Sequence, residues 1–222
     1  MKKKLVLFDI DGILALGKNE AHHKSFSVAI KKIFNIDIEI NEIQYSGKTD
    51  TRILLELLER KGFRQEDVRP KLKEMFKIMI EYVKKNIKNS DIYINPGVVE
   101  LLEELKSKGY ILGLITGNVK EIAKIKLGQL NLWKYFQVGG FGNLSEFRED
   151  VLKEVIAQAE KKSNLKFDKK DIFYFGDAPL DMICGKNVGV TTIGVSTGMF
   201  TIDELAKYKP SHLFKDYYNT DS

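Results

Sequence analysis

The sequence predicts an α/β fold in which a doubly wound parallel sheet carries an inserted α-helical domain. Short runs of nearly continuous apolar character alternate with amphipathic helical patterns along most of the chain. This alternation is typical of parallel strands that are covered by helices on both faces. Residues 16–93 interrupt it, because helical patterns follow one another there with no strand pattern between them. We therefore predict a Rossmann-like core with a separate helical insertion.

The core strands are predicted from short segments rich in β-branched and aromatic residues. The first segment lies near the start of the chain and ends on a carboxylate, Asp9, directly after four apolar residues. The segments expected to form the sheet are residues 4–9, 110–115, 135–138, 171–175, 190–195 and 211–214.

Helices are predicted where apolar residues recur at a spacing of three and four. In the core this pattern covers residues 98–105, directly after Pro96 and Gly97, and residues 152–159. In the insertion it covers residues 26–34, 53–58 and 72–83, with Pro70 near the start of the last helix.

We expect two domains from this organisation. Residues 1–15 and 94–222 are predicted to form the α/β core, and residues 16–93 a helical cap inserted between its first two strands. The connections between the two domains are expected near residues 16–18 and 94–97. An insertion placed directly after the end of a strand is well positioned to cover a site at the edge of the sheet.

Composition limits the possible functions. The net charge of +5 comes from 36 basic and 31 acidic residues that are well mixed, so no nucleic-acid partner is expected. No apolar run approaches the roughly 18–20 residues of a membrane span, so no membrane partner is expected either. The apolar run behind the first lysines is too short for an export signal, which favours a cytoplasmic protein. The chain has one cysteine, Cys184, and therefore no intramolecular disulfide.

Acidic and hydroxyl side chains follow the predicted strands. Asp9 and Asp11 are two residues apart where the first strand ends, and Gly12 allows a turn there. Asp177 follows another strand, with Asp181 four residues later. Because the carboxyl ends of parallel strands meet at one edge of a sheet, we expect these side chains to lie close together. Clustered carboxylates without cysteine favour a hard cation, for which Mg²⁺ is the natural candidate.

These segments resemble, in their order and spacing, the four signature motifs of the haloacid dehalogenase superfamily. The matching segments are DIDGIL, LITGN, the Arg-bearing SEFRED and GDAPLD, and the resemblance extends from residue 5 to about residue 200. The segments HHKSF, SGKTD and GLITGN are similar to the phosphoglycolate-phosphatase-like branch, and the insertion resembles the helical cap of that superfamily. The resemblance implies a cap over an active site that hydrolyses small phosphorylated metabolites with Mg²⁺.

The resemblance also implies roles for the acids. Asp9 would be the nucleophile that forms an aspartyl-phosphate. Asp11 would be the general acid and then the general base, a role for which we expect a raised pKa. Its backbone carbonyl would bind the metal together with Asp9 and Asp177, and Asp181 would be a further ligand or would support the ligands. Dehalogenases of the superfamily lack the second acid, so Asp11 indicates phosphate chemistry.

Other positions are expected to bind the phosphoryl group. The resemblance implies that Thr116 hydrogen-bonds the phosphoryl oxygens, and that Gly117 and Asn118 help to bind the substrate. The cation of the third motif is usually Lys; we assign it to Arg148, with Lys153 as the alternative. Ile13 stands where the family commonly has Thr or Val.

Cap residues near the predicted active site are expected to contact the substrate. The candidates are Gly47, Lys48 and His22, although the sequence does not distinguish His22 from His23. Thr49 or Asp50 is also expected to cap the helix that follows.

Two alternatives to a phosphatase remain open at this point. The first is a phosphosugar mutase of the same superfamily, and the second is a non-catalytic, regulatory protein with the same fold. The sequence is compatible with a monomer or a homodimer.

Overall fold

The computed structural model describes residues 3–89 and 91–218. Residues 1–2 and 219–222 of the predicted core lie outside the described residues, as does residue 90 of the predicted cap. Within the described part of the chain, no helix combines the length and apolar character needed to cross a bilayer.

The strands, in chain order, are β1 (Leu5–Phe8), β2 (Ala15–Gly17), β3 (Ile92–Ile94), β4 (Ile111–Ile115), β5 (Val138–Gly140), β6 (Ile172–Gly176), β7 (Thr191–Val195) and β8 (His212–Phe214). The α-helices are α1 (Glu20–Phe34), α2 (Asp50–Arg60), α3 (Gln65–Val68), α4 (Leu72–Asn86), α5 (Val98–Ser107), α6 (Lys120–Gln129), α7 (Arg148–Ser163), α8 (Pro179–Val188) and α9 (Ile202–Ala206).

The core is a six-stranded sheet with the order β5-β4-β1-β6-β7-β8, in which every neighbouring pair is parallel. The central strand β1 is buried on both faces, as its continuous apolar run predicts. Leu5 and Leu7 pack with apolar residues of α7 and α8, whereas Val6 and Phe8 pack with those of α5 and α6. Helices therefore cover both sides of the sheet, and the predicted doubly wound α/β fold is confirmed.

One predicted strand is misplaced. The segment expected at residues 135–138 becomes strand only at Val138, because Trp133–Tyr135 forms a 3₁₀ turn. The strand itself continues through two glycines, which carry no apolar signal. A side chain at Gly140 would place its Cβ 2.6 Å from the backbone oxygen of Val151 in α7. Close packing of α7 on the sheet thus selects glycine where a sequence pattern would look for β-branched residues.

The segment between β2 and β3 is helical, with α1, α2 and α4 as its main elements. Their apolar faces form a cluster of their own, which also includes Val119 and Ile122 from the start of α6. Strands β2 and β3 pair antiparallel with each other, outside the main sheet, and connect the helices to the core. The predicted domain boundaries fall within these two strands, and the division into two domains stays a prediction.

Candidate active site

Three neighbouring strands of the sheet deliver polar side chains to one edge. Strand β1 lies between β4 and β6, so the residues that follow these strands are adjacent in space. They are Thr116 after β4, Asp9 after β1 and Asp177 after β6. The backbone N–H of Asp9 still donates to the carbonyl of Phe175 at 3.1 Å, which anchors the residue to the end of the sheet.

Asp9 is buried, and each of its carboxylate oxygens accepts a hydrogen bond. Oδ1 accepts from the backbone N–H of Ile10 at 2.7 Å, and Oδ2 accepts from Nη2 of Arg148 at 2.7 Å. Arg148 is the first residue of α7, which points its side chain inward, whereas Lys153 on the same helix is exposed. Of the two cations expected from the sequence, the fold therefore brings Arg148 to Asp9.

The guanidinium of Arg148 makes four different contacts. Besides Asp9, Nη2 lies 2.8 Å from Oδ1 of Asp181, and Nε donates to the hydroxyl of Tyr174 at 2.9 Å. Nη1 donates to the backbone carbonyl of Gly47 at 3.3 Å, so the loop before α2 also contacts this arginine. A guanidinium with its planar fork of donors can satisfy all these acceptors at once, which a lysine cannot.

Asp9, Asp177 and Asp181 form a cluster in which one carboxylate oxygen of each residue lies within 4.8 Å of one oxygen of the other two. Glycines let the chain approach Asp177 closely. A Cβ on Gly12, which has a φ of +81°, would lie 2.2 Å from Oδ2 of Asp177, and one on Gly198 would lie 1.7 Å from it. Three carboxylate donors, with two glycines that leave the space beside Asp177 free of side chains, fit a hard divalent cation such as Mg²⁺.

Electrostatics also indicate that this cluster has surplus negative charge. Burial, assisted by the charges of Asp181 and Asp11, raises the pKa of Asp9 to about 6 despite the opposing effect of Arg148. Burial and the neighbouring carboxylates of Asp181 and Asp9 hold the pKa of Asp177 well above its usual range. A divalent cation would remove this penalty, because it favours the ionised form of each ligand.

Asp181 is held by more than Arg148. Its Oδ1 accepts from the hydroxyl of Tyr174 at 2.7 Å, and its Oδ2 accepts from the backbone N–H of Ala178 at 3.0 Å. Both oxygens are thus oriented by protein donors, which suits a residue that supports the cluster or contributes a single oxygen to it.

Asp11 has a different environment from Asp9. Nζ of Lys126 lies 3.0 Å from its Oδ1 and 2.9 Å from its Oδ2. Nδ2 of Asn118 donates to Oδ2 at 2.8 Å, and Nδ2 of Asn19 donates to Oδ1. Although burial acts in the opposite direction, Lys126 and the amide of Asn118 hold the pKa of Asp11 well below its usual range. The raised pKa that we expected from the sequence is therefore wrong for this structure, because a buried cation stabilises the carboxylate.

The segment after β4 contacts the start of α2. Oγ1 of Thr116 accepts from the backbone N–H of Asn118 at 3.2 Å and from its Nδ2 at 3.0 Å. The carbonyl of Gly117 accepts from the backbone N–H of Asp50 at 2.7 Å. Gly117 and Asn118 line a cavity, whereas Thr116 is fully buried. The phosphoryl-binding role expected for Thr116 stays a prediction.

The two histidines of α1 have different surroundings. His22 is buried, with Nδ1 3.0 Å from Nζ of Lys126 and Nε2 3.1 Å from Oδ2 of Asp50. His23 is half-buried beside the ring of Tyr45, and burial lowers its pKa to about 4. Both line the cavity, but His22 is the one that joins the network around Asp11.

The cavity between the core and the helical segment has a volume of about 370 Å³. Asp9, Asp11 and Asp177 lie on its polar side, and Lys48 lines it with its ammonium paired to Glu56 at 2.7 Å. Further lining residues are apolar or aromatic: Leu16, Phe26, Ile40, Tyr45, Ile53, Tyr93 and Met199.

The family model described as haloacid dehalogenase-like hydrolase matches residues 6–195. The chain belongs to this family. The family predicted from the sequence is thereby confirmed, and the chain is an enzyme of the hydrolase class.

Relatives of this hydrolase carry phosphatase names. A protein of Caldanaerobacter subterraneus subsp. tengcongensis with the provisional name pyrophosphatase PpaX is 28% identical over 98% of this chain and 93% of its own length. The phosphoglycolate phosphatase of Aquifex aeolicus is 29% identical over 85% of this chain and 83% of its own length. A solved hydrolase from Pseudomonas syringae has the same fold, with a TM-score of 0.69, 21% identity and coverage of 97% and 94% of the two chains. The predicted enzyme class, a phosphatase of this family, is confirmed.

Sequence reasoning missed several residues of the hydrolase's site. Lys126 lies on the apolar side of α6, next to the buried Ala123 and Leu127, and is itself fully buried. The sequence feature that could have identified Lys126 was its position within an otherwise apolar helix face. Asp50 was expected only as a possible helix cap, but Thr49 caps α2, and Asp50 accepts instead from the backbone N–H of Val119 at 2.7 Å.

Proposed function

We propose that this hydrolase is a Mg²⁺-dependent phosphatase that cleaves a small phosphomonoester metabolite through an aspartyl-phosphate on Asp9. The observation that supports it best is the buried Asp9 carboxylate, 2.7 Å from Arg148 and clustered with Asp177 at the edge of a partly enclosed cavity. A carboxylate held by a cation in a partly enclosed site is suited to attack phosphorus, because phosphoryl transfer depends mainly on positioning and electrostatic stabilisation.

In the first step an ionised oxygen of Asp9 would bond to phosphorus as the ester P–O bond breaks. Arg148 would keep the nucleophile in place and offset negative charge on the phosphoryl group. The leaving oxygen takes up a proton and departs as an alcohol. Asp11 would supply this proton, which requires that the negative charge of the bound phosphoryl group favour its protonated form against the effect of Lys126. Thr116 and the backbone around Gly117 would contribute hydrogen bonds to the phosphoryl oxygens.

In the second step a water molecule would attack the phosphorus of the aspartyl-phosphate. The Asp11 carboxylate would accept one proton of this water, the bond between Asp9 and phosphorus would break, and orthophosphate would leave. Asp11 acts in this step as an ionised carboxylate, which is the form that the contact with Lys126 stabilises.

The residues that would hold Mg²⁺ are Asp9, Asp177 and Asp181, with the backbone carbonyl of Asp11. Bound Mg²⁺ supplies positive charge that stabilises the phosphoryl group during transfer. The raised pKa values of Asp9 and Asp177 and the close approach of Gly12 and Gly198 to Asp177 support this assignment.

A second candidate function is hydrolysis of a phosphoanhydride. The observation that favours it is the pair of Lys126 with Asp11, which disfavours the protonated carboxyl. A phosphate leaving group is less basic than an alkoxide and needs less help from an acid. The provisional pyrophosphatase name of the relative from Caldanaerobacter is compatible with this candidate.

Phosphate release from a panel of substrates tests the proposal. The panel would contain p-nitrophenyl phosphate, 2-phosphoglycolate, a hexose phosphate and inorganic pyrophosphate, each with Mg²⁺ or with EDTA. We expect Mg²⁺-dependent turnover that Asp9→Asn abolishes, while Asp203→Asn, at an exposed position of α9, remains fully active.

The same panel separates the alternatives. Preferred cleavage of pyrophosphate would favour the anhydride candidate, and conversion of the hexose phosphate to an isomer without phosphate release would indicate a mutase. A fully active Asp9→Asn variant would contradict the mechanism, and no turnover of any substrate would favour a regulatory protein. The cytoplasmic location and the monomer or homodimer expected from the sequence stay predictions.

A further inference from the structure

Lys126 is a charged residue in a position that packing alone would assign to an apolar side chain. Its exposed fraction is 0%, and its neighbours on α6, Ala123 and Leu127, are also fully buried. Removing an ammonium group from water costs several kcal/mol unless its partners compensate. The steps proposed above assign no role to this lysine.

The ammonium group of Lys126 has a partner for each of its three protons. Two contacts go to the oxygens of Asp11 at 3.0 and 2.9 Å, and the third goes to Nδ1 of His22 at 3.0 Å. An ammonium only donates, so Nδ1 of His22 must accept. The geometry then assigns the ring proton of His22 to Nε2, which lies 3.1 Å from the carboxylate of Asp50.

Asp11 is held on one side and open on the other. Its side chain is 37% exposed and lines the cavity together with Asp9. Amide groups of Asn118 and Asn19 contact one oxygen each and complete the support around the carboxylate. Lys126 is the cation among these supports, and it contacts both oxygens, so it determines the orientation of the carboxylate most directly.

We propose that Lys126 is a positioning residue, which holds the Asp11 carboxylate towards the water that hydrolyses the aspartyl-phosphate. This inference rests on the proposed function. In the step concerned, an O–H bond of water breaks and its proton bonds to Asp11, the water oxygen bonds to phosphorus, and the phosphorus–Asp9 bond breaks. A base that is displaced by about 1 Å from a productive geometry can cost on the order of 100-fold in rate.

The proposal separates the two halves of the reaction. With p-nitrophenyl phosphate, the weakly basic nitrophenolate leaves without protonation, so formation of the aspartyl-phosphate depends little on Asp11. Hydrolysis of the aspartyl-phosphate still needs the positioned base. Loss of Lys126 should therefore lower kcat and KM together and leave kcat/KM nearly unchanged.

The variant Lys126→Met tests this inference, because methionine fills a similar volume without charge. Lys124→Met, at an exposed position of the same helix, is the matched control. With p-nitrophenyl phosphate and Mg²⁺, we expect kcat of Lys126→Met to fall by about 10–100-fold and kcat/KM by less than about 3-fold. Acid-quenched samples should contain more phosphorylated protein than the wild type, whereas Lys124→Met should behave as the wild type does.

Two further variants keep the test decisive. Asp11→Asn and the double variant Asp11→Asn/Lys126→Met should have the same kcat, since Lys126 acts through Asp11. His22→Ala removes the third acceptor of the Lys126 ammonium but keeps the Lys126–Asp11 pair. It should also lower kcat with little change in kcat/KM, by a smaller factor than Lys126→Met. This variant keeps the inference testable if Lys126→Met folds poorly.

Defined outcomes would overturn the inference. Equal losses of kcat and kcat/KM would show a general structural role, and an unchanged kcat or no accumulation of phosphorylated protein would exclude positioning of the base. Any of these three results, obtained with an active wild type, contradicts this inference but not the proposed function. A wild type that releases no phosphate from any substrate would contradict the proposed function, and the inference with it.

Discussion

Asp9 and Asp11 are separated by one residue, yet they stand in opposite electrostatic environments. Asp9 belongs to what we call the acidic half of the site, formed by Asp9, Arg148, Asp177 and Asp181. Three buried carboxylates share one cation there, and the pKa of Asp9 is raised to about 6.

Asp11 belongs to the paired half, formed by Asp11, Lys126, His22 and Asp50. Its carboxylate has a cation of its own, and its pKa is lowered.

The two halves therefore differ in the groups that compensate the charge of their carboxylates. The acidic half has more negative charge than its arginine can balance, so a further cation bound there would stabilise it. In the paired half, Asp11 has Lys126 as its own cation, and His22 and Asp50 from the helices between β2 and β3 extend this hydrogen-bond network. We therefore expect a metal ion to change the stability of the acidic half. We expect changes in the helices between β2 and β3 to affect the paired half.

The largest expected effect comes from removing the arginine of the acidic half. Arg148→Met leaves Asp9 and Asp181 buried without their cation, which should lower the free energy of unfolding by about 3–5 kcal/mol and abolish turnover. Chemical denaturation of the metal-free protein at neutral pH measures the first effect. Lys153→Met, on the exposed side of the same helix, should change it by less than about 0.5 kcal/mol. Full activity of Arg148→Met, with loss of activity in Lys153→Met, would reverse our assignment of the phosphate-binding cation.

The pH dependence of stability should have opposite signs in the two halves. Because the pKa of Asp9 is raised in the folded protein, its favourable contribution is complete below the unfolded value of 3.8 and is lost as pH rises through about 6. Because the pKa of Asp11 is lowered, its contribution is present above 3.8 and is lost as pH falls towards the folded value.

Unfolding of the metal-free protein at several pH values measures both contributions. Relative to Asp9→Asn, the wild type should lose roughly 2–3 kcal/mol between pH 4 and pH 7. Relative to Asp11→Asn, it should gain stability as the pH rises from the acid side. If the stability difference from the wild type changed with pH in the same direction for Asp9→Asn and for Asp11→Asn, the two halves would not have opposite electrostatic environments.

A smaller effect is expected from neutralising one further carboxylate of the acidic half. Asp177→Asn removes a buried negative charge, so the metal-free protein should become more stable by about 1–3 kcal/mol. The same variant should lose most of the stabilisation that Mg²⁺ confers on the wild type. Thermal unfolding with EDTA and with Mg²⁺ measures both changes. A wild type whose melting temperature does not respond to Mg²⁺ would argue against a metal site in this half.

The smallest effect concerns the contact of the cap helices with the core near the paired half. The buried hydroxyl of Thr51 donates to the carbonyl of Gly142 at 2.6 Å. Thr51→Val should lower the free energy of unfolding by about 1 kcal/mol, because it removes this hydrogen bond, while Thr51→Ser should retain most of it. Equal stability of the two variants would show that this contact does not stabilise the docked cap helices.

Much of the acidic half could be predicted from the sequence. Asp9 and Asp177 each follow a short apolar strand, and parallel strands bring such residues to one edge whatever lies between them. The confirmed fold class has the same origin, because alternating strand and helix patterns are local features of the chain. The strand that begins at Val138 was misplaced because close packing against α7, and not an apolar pattern, selected its Gly140.

The paired half depended on the tertiary structure. Lys126 is 115 residues from Asp11 and 104 from His22, and no local pattern states that these side chains meet. The choice of Arg148 over Lys153 likewise depended on which side of α7 faces the sheet. The sequence by itself determined that two carboxylates stand at the end of the first strand. Only the fold decided that one would share its cation while the other had its own, because the pKa of a buried acid depends on charges within a few ångströms, wherever they lie in the chain.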